Sequence, residues 1–242
     1  MWVTINVQVV KLTYNIAVIS CSFCRFVVSM CGRFTLSTPA AQLASLFDHL
    51  GDLEIPQQES RHNICPTQDV VAVRQSAGIH EAVMLRWGLV PFWAKELKIG
   101  NRMINARSET LFEKPSFRNA AKSKRCVILT NGFYEWKPVE GQKKKQPYLI
   151  ARQDGAPWLM AGLWESWRDP EGPKDADRIE TCTIITTAAN DFISDLHDRM
   201  PVKLESDDVE CWLDCEFEDT NRLKELLKPR DWDGFEISEA AL

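Results

Sequence analysis

Residues 125–136 read Arg-Cys-Val-Ile-Leu-Thr-Asn-Gly-Phe-Tyr-Glu-Trp and give the clearest signal of strand structure in the chain. β-Branched and aromatic residues dominate this stretch, which is typical of β-strands. Similar runs follow at 146–152, 158–167 and 178–188, and two more precede it at 70–75 and 81–90. The two earlier runs predict a hairpin that turns near Ala77-Gly78.

Short helices are predicted on both sides of these strands. Thr38-Pro39 supplies a capping residue and a first-turn proline for a helix that extends to His49. Ser206 is placed to cap a second helix, and residues 219–227 predict a third. Because strands dominate and helices bracket them, we expect an α+β fold with a mostly antiparallel, barrel-like β-sheet.

Residues 1–30 differ in composition from the rest of the chain. They contain two basic residues, Lys11 and Arg25, and no acid, glycine or proline. Polar residues interrupt any apolar core of a signal peptide, and the span between charges is too short for a membrane helix. We expect a misassigned translation start, with a removable leader as the alternative. Residues 31–242 would then form a single domain whose functional N-terminus is Cys31.

The predicted domain is acidic. Without Lys11 and Arg25 it carries 27 Lys and Arg against 34 Asp and Glu, so a nucleic acid could bind only at a local basic patch. Its six cysteines form no Cys-x-x-Cys pair and are too sparse for a disulfide scaffold, which favours a reducing cytoplasm. Cys211 and Cys215 lack a second ligand pair at zinc spacing. We therefore expect no metal, no other cofactor and no membrane association.

Three polar groups interrupt the apolar pattern. They are Asn105-Ala106-Arg107-Ser108-Glu109, the acid Glu135 within its aromatic run, and His197-Asp198-Arg199. Each has an ordinary structural explanation. Asn105 could cap a helix, Glu135 could point outward from a half-buried strand, and His197 could be a surface histidine. Taken singly, none of the three predicts a function.

The pair Met30-Cys31 indicates a specific chemistry. Methionine is readily removed before a small residue, which would leave Cys31 with a free α-amine beside its thiol. The amine titrates at about 7.7–8.0 and the thiol at about 8.5, so both are partly reactive at neutral pH. Such a pair can condense with an aldehyde, because the amine forms a Schiff base and the thiol closes it to a thiazolidine ring.

Taken together, the motifs resemble those of the SRAP (SOS-response-associated peptidase) family, whose members process abasic sites in single-stranded DNA. The matching motifs occur in the family's order over essentially all of residues 31–215. They are Met30-Cys31-Gly32-Arg33-Phe34, Asn63-Ile64-Cys65-Pro66-Thr67, Arg86-Trp87-Gly88-Leu89-Val90-Pro91-Phe92-Trp93, Asn105-Ala106-Arg107-Ser108-Glu109-Thr110, Gly132-Phe133-Tyr134-Glu135-Trp136 and His197-Asp198-Arg199-Met200-Pro201. Family members begin at the methionine before the cysteine, so the resemblance also implies that Cys31 is the mature N-terminus.

The resemblance implies a role for each candidate site residue. Cys31 would form the thiazolidine with the aldehyde of the opened sugar, and Asn105 would hold that sugar. Glu135 would move protons at the cysteine amine, and His197 would assist sugar ring opening and release of the crosslink. The residues that resemble DNA contacts are Arg33, Arg107 and Arg199 for phosphates and Trp93 and Trp136 for unstacked bases.

The implied partner is single-stranded DNA that contains an abasic site, and we expect a cytoplasmic monomer that associates with the nucleoid through DNA. Two alternatives stay open. In the first, Cys31 acts with Glu135 and His197 as a cysteine-type peptidase that removes the protein's own N-terminal segment. In the second, the arginines and tryptophans form a noncovalent module for single-stranded DNA, which leaves a glutamate unexplained beside bound phosphate.

Overall fold

A computed structural model describes residues 31–242, and strands outnumber helices in it. The strands are β1 (Arg33–Leu36), β2 (Arg61–Ile64), β3 (Asp69–Ser76), β4 (Ile79–Trp87), β5 (Asn105–Arg107), β6 (Arg125–Thr130), β7 (Gly132–Lys137), β8 (Gln146–Arg152), β9 (Trp158–Trp167), β10 (Ile179–Ala188), β11 (Arg199–Pro201), β12 (Lys203–Leu204) and β13 (Phe235–Glu239). The α-helices are α1 (Ala40–Ala44), α2 (Arg118–Ser123), α3 (Asp191–Ser194), α4 (Ser206–Leu213) and α5 (Thr220–Leu226). Short 3₁₀ segments occupy Ser45–Leu50, Leu97–Arg102 and Ser108–Thr110. The expectations for residues 1–30 lie outside the described residues.

Five strands form a fully antiparallel sheet in the order β13-β8-β7-β1-β2. Within it, Arg33 of β1 lies opposite Tyr134 of β7, and Phe34 lies opposite Phe133. Because β1 and β7 run in opposite directions, the residues just before β1 lie beside the C-terminal half of β7. This register places Cys31 close to Glu135.

The remaining eight strands form a second sheet, in which β3, β4, β10, β9 and β6 hydrogen-bond in a closed ring. The pairings of β10 with β4 and with β5 are parallel, and the other pairings in this sheet are antiparallel. The predicted α+β fold with a mostly antiparallel sheet is therefore confirmed.

The run 125–136 contains two strands that belong to different sheets, and Asn131 separates them. The Asn131 side chain accepts hydrogen bonds from the backbone nitrogens of Ser37 and Thr38, and its own backbone nitrogen donates to Thr35. These contacts fix the chain at the point where it leaves the ring and enters the five-stranded sheet.

The predicted hairpin turn is present, whereas the cap of the first helix is displaced from its predicted position. The hairpin of β3 and β4 turns at Ala77-Gly78, where both residues have positive φ angles of 50° and 78°. The first helix begins at Ala40, one residue later than predicted, because Pro39 occupies the cap position and Thr38 instead bonds the Asn131 side chain. After Ala44 the helix tightens into the 3₁₀ segment Ser45–Leu50.

One continuous cluster of buried apolar side chains includes residues of both sheets. Phe133 of the five-stranded sheet packs edge-to-face on Trp158 of the ring, with ring centroids 6.2 Å apart. Trp87 and Trp212 are fully buried, and the indole of each donates to a backbone carbonyl. Within residues 31–242 there is no apolar helix of the length that a bilayer crossing requires.

Candidate active site

Cys31 and Glu135 meet at the end of the β1–β7 pair. The backbone N–H of Cys31 donates to Oε1 of Glu135 over 2.6 Å, and the two residues are only 2% and 4% exposed. Cys31 has a φ angle of 45°, an uncommon conformation for a residue other than glycine. A buried carboxyl beside a main-chain nitrogen in a strained turn is an arrangement that apolar packing does not require.

Burial controls the protonation of both groups. It raises the pKa of Glu135 above its usual value, while the hydrogen bond from Cys31 and the nearby His197 act in the opposite direction. Burial also raises the pKa of the Cys31 thiol well above its usual value, and the Glu135 carboxylate adds to this effect. Arg199 is the group that favours the thiolate. Burial therefore favours the neutral, protonated forms of both the Glu135 carboxyl and the Cys31 thiol.

Asn105 and Arg107 lie on β5, which pairs in parallel with β10. The segment before β5 is fixed by a close backbone approach between Gly88 and Gly100. A Cβ atom on Gly88 would lie 2.7 Å from the carbonyl oxygen of Gly100, so a larger residue there would displace the segment. Asn105 is partly buried and Arg107 is exposed, which leaves the Arg107 guanidinium open to a ligand.

His197 follows α3, and its backbone nitrogen donates to Ile193. Its ring nitrogen Nδ1 accepts the backbone N–H of Arg199 over 3.0 Å and lies 2.8 Å from the carboxylate of Asp198. These contacts hold the imidazole by its Nδ1 edge. His197 lies close enough to Glu135 to lower the pKa of that carboxyl electrostatically.

Arg199 is 7% exposed, and Glu109 holds its guanidinium. The two terminal nitrogens donate to the two carboxylate oxygens of Glu109 over 2.5 and 2.8 Å, and Nη2 also donates to the Thr186 carbonyl. The hydrogen bond from Arg199 lowers the pKa of Glu109. No role for Glu109 was predicted from the sequence, although it stands two residues after Arg107 in the same polar group.

Two tryptophans were expected to contact DNA, and they occupy different settings. Arg33 lies over the ring of Trp136 at 5.8 Å, and its guanidinium donates to the side chain of Asn63 over 3.0 Å. Trp93 is 49% exposed and follows Phe92, which is 54% exposed. Among the described residues, no hydrogen bond or ring contact joins Trp93 to Cys31 or Glu135.

The structure thus brings Cys31, Glu135, His197 and Arg199 into one electrostatic group. Asn105 and Arg107 lie on β5, which pairs with β10. The strand β10 also pairs with β11, which carries Arg199. Within residues 31–242, no three His, Cys, Asp or Glu side chains are arranged to hold a metal ion. A buried carboxyl, a thiol, an imidazole and an exposed arginine define a site suited to proton transfer and nucleophilic attack next to an anionic ligand.

Comparison with known proteins identifies the family of the chain. The SOS response associated peptidase (SRAP) family matches residues 30–240. The chain is 42% identical over 212 residues to the abasic site processing protein YoqW of Bacillus subtilis (strain 168), covering 88% of this chain and 92% of that protein. It is 33% identical over 240 residues to the abasic site processing protein HMCES of Gallus gallus, covering 84% and 70%. A crystal structure of a protein from Bacteroides thetaiotaomicron superposes with a TM-score of 0.75 at 27% identity, covering 87% and 92%. The chain belongs to the SRAP family.

Proposed function

We propose that this protein recognises abasic sites in single-stranded DNA and captures them as a covalent adduct on Cys31. The observation that carries the proposal is the buried 2.6 Å hydrogen bond between the Cys31 nitrogen and Glu135. Once residues 1–30 are removed, that nitrogen is an α-amine, and the carboxylate lies within reach of its protons. The names of the relatives, which describe abasic site processing, support the choice of substrate.

The first chemical step is Schiff-base formation. The α-amine of Cys31 attacks the aldehyde carbon of the opened sugar, and a C–N bond forms. Glu135 takes a proton from the nitrogen and returns one to the hydroxyl that departs as water. The raised pKa of Glu135 suits this role, because a proton carrier works best when its pKa is close to the operating pH.

The second step is ring closure. The sulfur of Cys31 adds to the imine carbon, an S–C bond forms, and the C=N electron pair moves to nitrogen, which takes up the proton that the thiol releases. The product is a thiazolidine, and one water is lost overall. Arg199 favours the thiolate electrostatically and would assist this attack. In this scheme, His197 donates a proton during sugar ring opening and Asn105 holds the opened sugar.

The DNA strand would be held by arginines and aromatic faces. Arg33 and Arg107 would bind phosphate oxygens, and Trp136 and Trp93 would stack on unpaired bases. Arg199 would contact a third phosphate. Both of its terminal nitrogens already donate to the Glu109 carboxylate, so the guanidinium would have to bond Glu109 and the phosphate together. This binding mode requires unpaired nucleotides. Single-stranded DNA with an abasic site already offers them and an intact duplex does not, so the duplex is disfavoured.

Mass spectrometry of protein with uracil-excised single-stranded DNA tests the proposal. Protein that begins at Cys31 is expected to gain the mass of the strand less one water. Borohydride should trap the early Schiff base but leave the mature adduct unreduced, because a thiazolidine has no C=N bond. The chain that retains residues 1–30 serves as the control and should form no adduct. An adduct on that longer chain would rule out the amine chemistry.

A second candidate function is autoproteolysis at the bond before Cys31. The same hydrogen bond favours it, since Glu135 holds the nitrogen of the peptide that would be cut. Intact-mass measurement over time on the full chain tests this function. Loss of residues 1–30 by the wild type, and not by Cys31→Ala, would support it. Equal processing of both proteins would assign removal to another enzyme.

A further inference from the structure

The hairpin that carries Glu135 ends in an exposed group of lysines. β7 and β8 pair as far as Lys137 opposite Gln146, and residues 138–145 form the connecting loop. Lys143, Lys144 and Lys145 are consecutive and exposed in that loop, and Lys137 is exposed at the end of β7. These four residues are named the hairpin-tip lysines below.

The hairpin-tip lysines are not neutralised by neighbouring acids. Residues 137–146 contain four lysines and a single acid, Glu140. Within the described part of the chain, none of the four lysines forms an ion pair, whereas Lys124, Lys203 and Lys228 each pair with a glutamate. The protein as a whole is acidic, with 29 Lys and Arg against 34 Asp and Glu. A polyanion could therefore bind only at a local patch of this kind.

The hairpin-tip lysines continue the hairpin outward from the candidate site. Trp136 lies opposite Pro147, one residue pair before Lys137. At about 3.4 Å per residue, Lys145 is at most about 7 Å along the chain from Pro147, and Lys143 is at most about 14 Å from it. Arg33 lies over Trp136 on the neighbouring strand. Positively charged side chains are thus found directly beside the residues that would contact the damaged nucleotide, and further ones follow along the hairpin away from that nucleotide.

We propose that the hairpin-tip lysines bind phosphates of the DNA strand that flanks the lesion. The inference rests on the proposed function, because that function makes the polyanion a DNA strand. Lysine ammonium groups act as point charges on flexible stems, which suits sequence-independent contact with a backbone. The lysines would lengthen the binding site and strengthen the hold on long strands, while the chemistry at Cys31 would be unchanged. An acidic protein segment is disfavoured as the partner, because the lysines share one hairpin with Trp136 and Glu135.

The test uses the triple variant Lys143→Gln/Lys144→Gln/Lys145→Gln and a control with the same change of charge. The control is Lys122→Gln/Lys174→Gln/Lys224→Gln, whose exposed lysines form no ion pair with any described residue and lie on α2, between β9 and β10, and on α5. Dissociation constants for undamaged single strands of about 5 and about 16 nucleotides are measured from about 50 mM to about 200 mM salt. For the long strand, the salt slope of the tip variant should fall by about 2, since each phosphate contact in single strands contributes about 0.7. The short strand should bind the variant and the wild type equally.

A tip variant whose salt slope on the long strand equals that of the control would overturn the proposal. Loss of binding to polyglutamate with no change in DNA binding would also overturn it and would assign the tip to an acidic protein. The proposed function is measured separately, as adduct yield on a short strand with an abasic site. There the tip variant should react at the wild-type rate. If wild type forms no adduct, the proposed function fails, and binding to undamaged strands still decides the role of the tip.

Discussion

The backbone nitrogen of Cys31 and the carboxylate of Glu135 are joined by a 2.6 Å hydrogen bond that is almost completely shielded from water. Glu135 lies on the same face of β7 as Phe133, which is buried in the core. A carboxyl on that face loses its hydration, and this loss raises its pKa. The contact therefore places a carboxyl with an altered proton affinity directly against the atom that would become the reactive amine.

Glu135→Gln is expected to slow adduct formation by about 10²–10⁴-fold, because the amide keeps the shape of the side chain but cannot carry a proton. The rate should be measured at saturating DNA, with circular dichroism to confirm the fold. Glu236→Gln, an exposed change on β13 of the same sheet, is the control and should react like wild type. A wild-type rate for Glu135→Gln would make Glu135 a structural residue.

The same substitution should alter stability in a pH-dependent way. The folded protein holds the Glu135 proton more tightly than the unfolded chain does. The contribution of Glu135 to the free energy of unfolding is therefore fully present at low pH and is lost as pH rises through the raised pKa. Glu135→Gln should therefore melt at a higher temperature than wild type near about pH 8, with the gap closing below about pH 4.3, the usual pKa of a glutamate. Cys31→Ala in the same series separates the contribution of the neighbouring thiol. A gap that is constant with pH would contradict this assignment.

The pattern of apolar residues predicted the strands well but did not predict which sheet each belongs to. Residues 125–136 have uniform strand character, yet the chain changes sheets at Asn131. The cause lies in contacts with Ser37 and Thr38, which are more than 90 residues away in sequence. The same contacts explain why Thr38 does not cap α1. Such long-range hydrogen bonds leave no periodic signal in the local sequence.

The candidate site was likewise predictable from the sequence only in part. Alternation along β7 was sufficient to place Glu135 on the face of Phe133, yet an outward orientation was the ordinary expectation for an acid in a strand. Glu109 could not be assigned from the sequence, because its partner Arg199 lies 90 residues further along the chain. What the sequence provided was the order of the polar groups. Their meeting point depends on the pairing of β10 with β5 and β11.

Cys31→Ala should abolish the heat-stable adduct and leave noncovalent binding to single-stranded DNA nearly unchanged, because arginines supply most of that affinity. A Schiff base on the alanine amine should still be trapped by borohydride. Cys65→Ala, which alters another buried cysteine, is the matched control and should form the adduct normally. A heat-stable adduct on Cys31→Ala without reductant would exclude the thiazolidine.

Arg107→Ala should weaken binding to single-stranded DNA and reduce the salt slope by about 0.7, because one phosphate contact is lost. At saturating DNA, its adduct yield should be close to that of wild type. Arg118→Ala, which removes an exposed arginine of α2, controls for net charge.

Intact duplex should compete poorly with the single strand, since stacking on Trp136 or Trp93 requires unpaired bases. Equal competition by duplex would contradict this binding mode.

His197→Ala should slow both formation and reversal of the adduct, because one proton donor and acceptor serves the two directions of the same step. The structure holds the imidazole by Nδ1, through the Arg199 backbone N–H at 3.0 Å, so Nε2 is the nitrogen free to act on the sugar. The rates of adduct formation and of adduct reversal should both be measured at saturating DNA. His49→Ala, an exposed histidine of the 3₁₀ segment Ser45–Leu50, is the control. If His197→Ala slowed formation alone, a shared proton transfer would be excluded, and His197 would act only in binding or opening the sugar.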